Sequence, residues 1–257
     1  MLKEFDYRLN NIHFEEIDST NNYAKRLIEE YRAAGKDLDR NILISADVQT
    51  AGRGRSGKSF SSPFGNNIYM TLILKLDELP EDCMLITPAV AVGALQALEA
   101  AGSERIGIKW VNDLFLHGKK VGGILTEAVF DKTGTRIEYA LIGIGIDIDM
   151  DLGRLPEELK EIVGSITGLK LAKKDMTISL AEHISKAVAR VFEDKESILD
   201  IYRDRSVLIG EEVTWSDRSG SHTGRVVNIN DNANLVVDEA GTERILMSGE
   251  VSVRKAK

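Results

Sequence analysis

The chain has one cysteine, Cys83, so no internal disulfide can form, which suits a reducing cytosol. No stretch approaches the roughly eighteen uninterrupted apolar residues of a spanning helix. The opening MLKEFDYRLN also lacks the apolar centre of a signal peptide. By these criteria a cytoplasmic protein is expected, neither exported nor in contact with a membrane. The four histidines, His13, His117, His183 and His222, stand too far apart to share a metal, so no structural metal site is expected. Positive charge is short as well: 33 Lys and Arg against 41 Asp and Glu give a net −8, which argues against a nucleic-acid partner. Internal repeats and low-complexity linkers are missing.

What the chain does have is 257 residues, 43% of them apolar, enough for one good core and a small second one. IHFEEI (12–17) reads as a strand. DSTNNYAKRLIEEYRAAG then sets Ala24, Leu27, Ile28 and Tyr31 at helical spacing, with Asp18 or Ser19 as cap and Gly35 as stop. NILISA (41–46) and NIYMTLILKL (67–76) are apolar, β-rich runs. A helix is expected from Thr87 and Pro88 through AVAVGALQALEAAG, with the apolar CMLI before it as an extension across the proline. RIGIKW, DLFLHGKKVGGILTEAVF and TRIEYALIGIGIDID, split by short turns, predict antiparallel hairpins. LPEELKEIVGSI and the stretch from Met176 to Phe192 predict amphipathic helices, and ESILDIYRDR continues helical. From Ser206 five short alternating strands follow. The expected class is α+β. Residues 1–205 form a hairpin-rich mixed sheet with flanking helices, and residues 206–257 a small β-barrel domain.

Within AGRGRSGKSF (51–60), Gly52, Gly57, Lys58 and Ser59 match the P-loop pattern G-x-x-x-x-G-K-[ST]. A phosphate cradle needs a helix leaving the glycine turn, whereas SFSSPFGNN follows here. A cationic loop remains: Arg53, Arg55 and Lys58, with no acidic residue between Val48 and Lys75. KWVND (109–113) ends a predicted strand in a lysine, and KKVGGILTE (119–127) adds Lys120 ahead of a glycine pair. Glycines within strands, here Gly122 and Gly123 and again GIGID (143–147), mark close approach by another backbone or a ligand. A glycine-lined slot flanked by these cations suits a partly apolar ligand carrying phosphate or carboxylate.

STNN after the first strand, VQTAGRGR, GRGRSGKSFSSPFGNNIYMT, KWVNDLFLHGKKVGGILTE and GIGID, in that order, resemble the biotin protein ligases, in the form without the N-terminal DNA-binding domain. The resemblance implies the class II synthetase-like biotin/lipoate ligase fold with a terminal SH3-like barrel. It implies that biotin is activated by MgATP to biotinyl-5'-AMP and passed to a lysine of a biotin carboxyl carrier domain. By motif match, Lys109 would bridge the biotin carboxylate and the α-phosphate. Ser19, Thr20, Asn21, Gln49, Gly52, Arg53, Gly54 and Arg55 would hold biotin. Arg55, Lys58, Asn112, Lys120 and Asp147 would meet ATP. Asp113 would orient or deprotonate the acceptor lysine, or else pair with a basic neighbour. Magnesium ligands are left open, and a homodimer joined edge to edge is compatible with the family.

Two positions depart from the family pattern. Val111 stands where proline is usual, and Asp147 where the glycine motif usually ends in asparagine, exchanging an amide for an acid. Rival readings are a lipoate or other acyl-carrier ligase of the same fold and a nonenzymatic biotin or nucleotide sensor.

Overall fold

The computed structural model describes residues 11–38, 40–57, 65–217, 220–247 and 254–255. The chain begins with β1 (Asn11–Ile17), α1 (Thr20–Ala33), β2 (Ile42–Gln49) and β3 (Ile68–Glu78). Next come α2 (Ile86–Ala100), β4 (Gly107–Lys109), β5 (Asp113–Leu116), β6 (Lys119–Phe130) and β7 (Ile137–Ile146). After these lie α3 (Glu157–Lys160), α4 (Lys173–Glu193) and α5 (Lys195–Asp204). The chain closes with β8 (Glu212–Asp217), β9 (Gly220–Ile229), β10 (Leu235–Glu239), β11 (Thr242–Leu246) and β12 (Arg254–Lys255).

The first seven strands form one sheet in the order β1-β2-β3-β7-β6-β5-β4. Only β1 and β2 run parallel; the other pairings are antiparallel, as the hairpin reading requires. Alternation along each strand sends side chains to two faces. On one face Leu43, Met70, Leu72, Ile142 and Ile144 join α2 and α4 in the main core. On the other, Ile42, Ile44, Ile73 and Leu141 pack against Ala24 and Ile28 of α1. The strand β7, buried along nearly its whole length, is apolar on both sides because both faces are covered. Residues 80–100 together are long and apolar enough to cross a membrane, yet 67% of an apolar 18-residue window within them is buried in the fold, as in a core helix.

Three elements differ from their sequence reading. The CMLI segment extends α2 only by Ile86, ahead of Pro88; Cys83 ends a 3-10 turn over Pro80–Cys83, and Met84 and Leu85 lie between. LPEELKEIVGSI yields only the four-residue α3. Its remainder is drawn to the sheet, where Gly164 N–H bonds to Lys120 O at 2.7 Å and Ile166 N–H to Asp147 O at 2.9 Å. Strand pairing outcompetes helical spacing there. α5 is a separate helix because Asp194, with φ −155° and ψ 70°, breaks the backbone; its carboxylate then caps α5 by accepting from Ser197 N–H.

The last five strands form an antiparallel sheet ordered β11-β10-β9-β8-β12. It is not insulated from the first sheet. Val213, Trp215, Val226, Ile229, Leu235 and Val237 belong to the same apolar cluster as Leu72, Leu95 and Ile184.

Candidate active site

One residue from each strand of the large sheet lies in a single row: Phe14, Ala46, Tyr69, Gly145, Gly123, Asp113 and Lys109. Residues directly opposite across antiparallel pairs share a face. Lys109 and Asp113 therefore share a face with Tyr69, and the two positions between them, Gly123 and Gly145, have no side chains. α1 covers the neighbouring part of that face, so the bare strip runs from the end of α1 to Lys109.

The glycines divide by role. A Cβ on Gly143 would sit 2.2 Å from Asn21 Oδ1, so this glycine admits the Asn21 side chain onto the sheet. Gly122 faces the other way: its Cβ would meet Ile146 Cδ1 at 2.7 Å, so it packs the core and does not line the strip. Gly123 and Gly145 thus lie on the face that carries Lys109, whereas the expectation that Gly122 lines the same slot is corrected.

At the α1 end the polar groups interlock. Gln49 Oε1 accepts from Thr20 N–H at 2.9 Å and lies 3.1 Å from Thr20 Oγ1. The Thr71 hydroxyl lies 2.8 Å from Thr20 Oγ1 and 2.6 Å from Asn21 Oδ1. Asn21 Nδ2 donates to Glu127 Oε2 at 3.0 Å, and Lys25 Nζ to Glu127 Oε1 at 2.8 Å. Ser19, Thr20 and Asn21 are all buried. Ser19 sits at the N-cap of α1 with extended backbone, yet its side chain makes no capping hydrogen bond.

Burial pushes the Glu127 carboxyl up, but the bonds from Asn21 and Lys25 and the charges of Lys25 and Arg53 bring it below the ordinary glutamate value. Glu127 is the residue sequence reasoning missed. It stood within the quoted KKVGGILTE, but its partners Asn21 and Lys25 lie 106 and 102 residues away.

The glycine-arginine loop is rooted beside this cluster, with Thr50 N–H on Ile17 O and Ala51 N–H on Asp18 O at 2.8 Å. Gly52 is buried and Gly54 half-buried. The loop's two arginines diverge. Arg53 reaches back to Asn22 Oδ1 at 3.2 Å and lies 3.4 Å from Glu127 Oε1. Arg55, in a 3-10 turn over Arg55–Gly57, donates to Asn112 Oδ1 at 3.1 Å. The loop therefore straddles the bare strip, one cation toward α1 and one toward the lysine end. Lys58 lies outside the described residues. Residues 58–64, where a P-loop helix would begin, lie outside the described residues as well.

At the other end, Lys109 Nζ stands 5.5 Å from the Phe115 ring centroid. Asp113 is engaged by Lys120, Nζ to Oδ1 2.6 Å, which is the basic-partner alternative left open by the sequence. Asn112 Nδ2 donates to Ile124 O at 2.7 Å, so both ends of its amide are in use. The Trp110–Val111 peptide is cis. Trp110 Nε1 donates to Ala233 O at 2.8 Å and Tyr202 OH to Val111 O at 2.9 Å, so α5 and the β9–β10 turn hold the segment that carries Lys109.

Asp147, just past β7, is 8% exposed, and burial pushes its carboxyl up to about 7 against the opposing pull of Lys120. No group of three or more His, Cys, Asp or Glu that could hold a metal occurs among the described residues.

The model of the biotin/lipoate A/B protein ligase family matches residues 14–147, which contain every site residue named so far except the two clamps from α5 and β9–β10. The chain belongs to that family. The bifunctional ligase/repressor BirA of Bacillus spizizenii is 30% identical over 240 residues, covering 91% of this chain and 71% of the relative. The biotin–[acetyl-CoA-carboxylase] ligase of Mycobacterium tuberculosis is 26% identical over 227 residues, covering 85% and 81%. Among solved structures, the biotin protein ligase from Aquifex aeolicus in complex with biotin and ATP superposes with a TM-score of 0.73 at 25% identity, covering 96% of this chain and 99% of that one.

Proposed function

We propose that this ligase activates biotin with MgATP as biotinyl-5'-AMP and transfers it to a lysine of a biotin carboxyl carrier domain. The observation that carries the proposal is the row itself: a lysine at one end, an interlocked polar cluster at the other, and two bare glycines between them under a loop of arginines. Biotin has the matching shape, a cyclic urea at one end and a carboxylate at the other. Ser19, Thr20, Asn21 and Gln49 take the urea, and Gly52 and Gly54 let the loop backbone close over the bicycle. Arg55 and Lys109 face the carboxylate and the α-phosphate, while Arg53, held between Asn22 and Glu127, meets biotin from the urea end.

In the first step a carboxylate oxygen of biotin bonds to the α-phosphorus while the bond to the β-phosphate oxygen breaks, and pyrophosphate leaves with the electron pair. The nucleophile is already ionised near neutral pH, so no base is required. The obstacle is the approach of two anions, which Lys109, Arg55, Lys58 and Lys120 relieve by charge and orientation. Asn112 and Asp147 complete the nucleotide contacts. Magnesium enters as part of the substrate MgATP.

In the second step the acceptor amine attacks the acyl carbon and the bond to AMP breaks. The amine must first lose a proton, since an unperturbed lysine near pKa 10.4 is charged at neutral pH. Asp113 receives or orients it once released from Lys120. The same reading makes the protein cytoplasmic and gives it a catalytic domain over 1–205 and an SH3-like barrel over 206–257. It also gives a homodimer with sheets joined edge to edge.

The test is the mass of an isolated acceptor domain incubated with the chain, biotin and MgATP, which should rise by one biotinyl group. Biotin-dependent pyrophosphate exchange should fall roughly 100- to 1,000-fold in Lys109→Gln. An unmodified acceptor with exchange driven by lipoate, or no exchange at all, overturns the proposal.

A further inference from the structure

We infer that Glu127 is a positioning residue that sets the donor and acceptor polarity of the urea end of the pocket, and so confers selectivity for a cyclic urea. This rests on the biotin reading above. An ionised carboxylate accepts hydrogen bonds and never donates them. An asparagine amide can be turned over by a half rotation, exchanging its oxygen and its NH2 at little steric cost. Glu127 Oε2, 3.0 Å from the Asn21 amide, removes that freedom: only the NH2 can face it.

The consequence runs down the cluster. With its nitrogen committed to Glu127, Asn21 presents its oxygen to Thr71, 2.6 Å away, so the Thr71 hydroxyl must spend its one proton there. With that proton spent, the single hydroxyl proton of Thr20 serves either Thr71, 2.8 Å away, or Gln49 Oε1, 3.1 Å away. Gln49 Oε1, already accepting Thr20 N–H at 2.9 Å, is held with its carbonyl inward and its NH2 outward. One carboxylate thereby fixes the Asn21 amide and the Thr71 hydroxyl, next to a Gln49 carbonyl already oriented by the Thr20 backbone N–H.

Glu127 is well placed to do this. Its side chain is 19% exposed, and Lys25 at 2.8 Å and Arg53 at 3.4 Å keep it charged and stationary. A cyclic urea has one strong acceptor and two N–H donors held in a rigid ring, so it discriminates against a pocket whose donors and acceptors are scrambled. An acid without the urea makes no such demand.

The experiment measures biotin and ATP binding separately by calorimetry for the full-length wild type, Glu127→Gln and Thr71→Val, with thermal midpoints recorded for each. Glutamine keeps the shape of Glu127 but can donate, so the Asn21 amide is freed to turn. We expect Glu127→Gln to weaken biotin at least tenfold while ATP binding changes less than threefold and the midpoint stays within a few degrees. Thr71→Val, which cuts the chain on the far side of Asn21, should give the same biotin-specific loss. The double variant should lose no more than about what the worse single loses, because both break one network. Unchanged biotin affinity in Glu127→Gln, equal loss of biotin and ATP, or additive losses in the double variant overturn the inference. A wild type that does not bind biotin overturns the proposed function instead.

Discussion

Asp147 is a single-residue departure with a thermodynamic consequence. Its carboxyl has an ordinary value of 3.8 and is pushed up to about 7 by burial. An acid that holds its proton more tightly folded than unfolded favours the fold while protonated, and that advantage is lost as pH rises from about 4 to about 7. Above about pH 7 the buried charge costs the fold up to about 4 kcal/mol relative to acid conditions. Asp147→Asn removes the titrating group and restores the amide usual in the family. Its thermal midpoint should exceed that of wild type at about pH 8 and converge with it at about pH 4.5; an offset independent of pH would refute the assignment. At this scale the sequence was informative about identity and silent about environment. Lys109, Asp113 and the arginines were legible because their motifs are local. The pairing of Asp113 with Lys120, the split of Arg53 from Arg55, and the whole role of Glu127 depend on side chains brought together from distant parts of the chain.

Among the elements, two glycines make opposite predictions from similar crowding. A Cβ on Gly93 of α2 would meet Ile184 Cα at 2.7 Å and His183 O at 2.8 Å, both backbone atoms of α4. Backbone cannot rotate aside, so Gly93→Ala must force the helices apart, and a loss of about 3 kcal/mol is expected from the shift in denaturant midpoint. A Cβ on Gly143 would instead meet the Asn21 side chain, with Oδ1 at 2.2 Å and Cγ at 2.9 Å. That side chain can move, so Gly143→Ala should cost less stability but displace the Asn21 amide; under the proposed function, biotin affinity should fall by an order of magnitude or more in binding measurements. The elements themselves were mostly legible. α1, α2, α4 and the four hairpin strands carry clear periodicity or turn chemistry, and each appears near its expected place. The helix expected over LPEELKEIVGSI failed because spacing alone does not reveal that β6 and the segment after β7 offer unpaired backbone for residues 162–166. The row of seven strand residues was equally invisible, since strand order and register are set by tertiary packing and not by any one segment.

For the whole molecule, the expected boundary near Ser206 is a change of texture, whereas the core runs across it. Leu208, Val213, Trp215 and Leu235 share one apolar cluster with Leu95, Leu114 and Tyr202. Backbone crosses as well: Ile108 N–H bonds to Arg205 O at 2.7 Å and Val207 N–H to Ile108 O at 2.9 Å, extending the β4 edge with the chain that leads into the last sheet. Removing the second sheet would therefore expose apolar surface on the first and free the Trp110 indole from Ala233 O, beside Lys109. Two units coupled this way should unfold together. Trp110 and Trp215 are both buried and are the two tryptophans of the chain, one in each sheet region, so their fluorescence reports on both. Denaturation followed by tryptophan fluorescence and by far-UV circular dichroism should give coincident transitions, with matching calorimetric and van't Hoff enthalpies. A Trp215→Phe variant, which leaves Trp110 as the reporter, should melt at the same denaturant concentration by both probes. An early transition seen in the dichroism but not in that variant's fluorescence would mean that the second sheet opens on its own, without loosening the segment that carries Lys109.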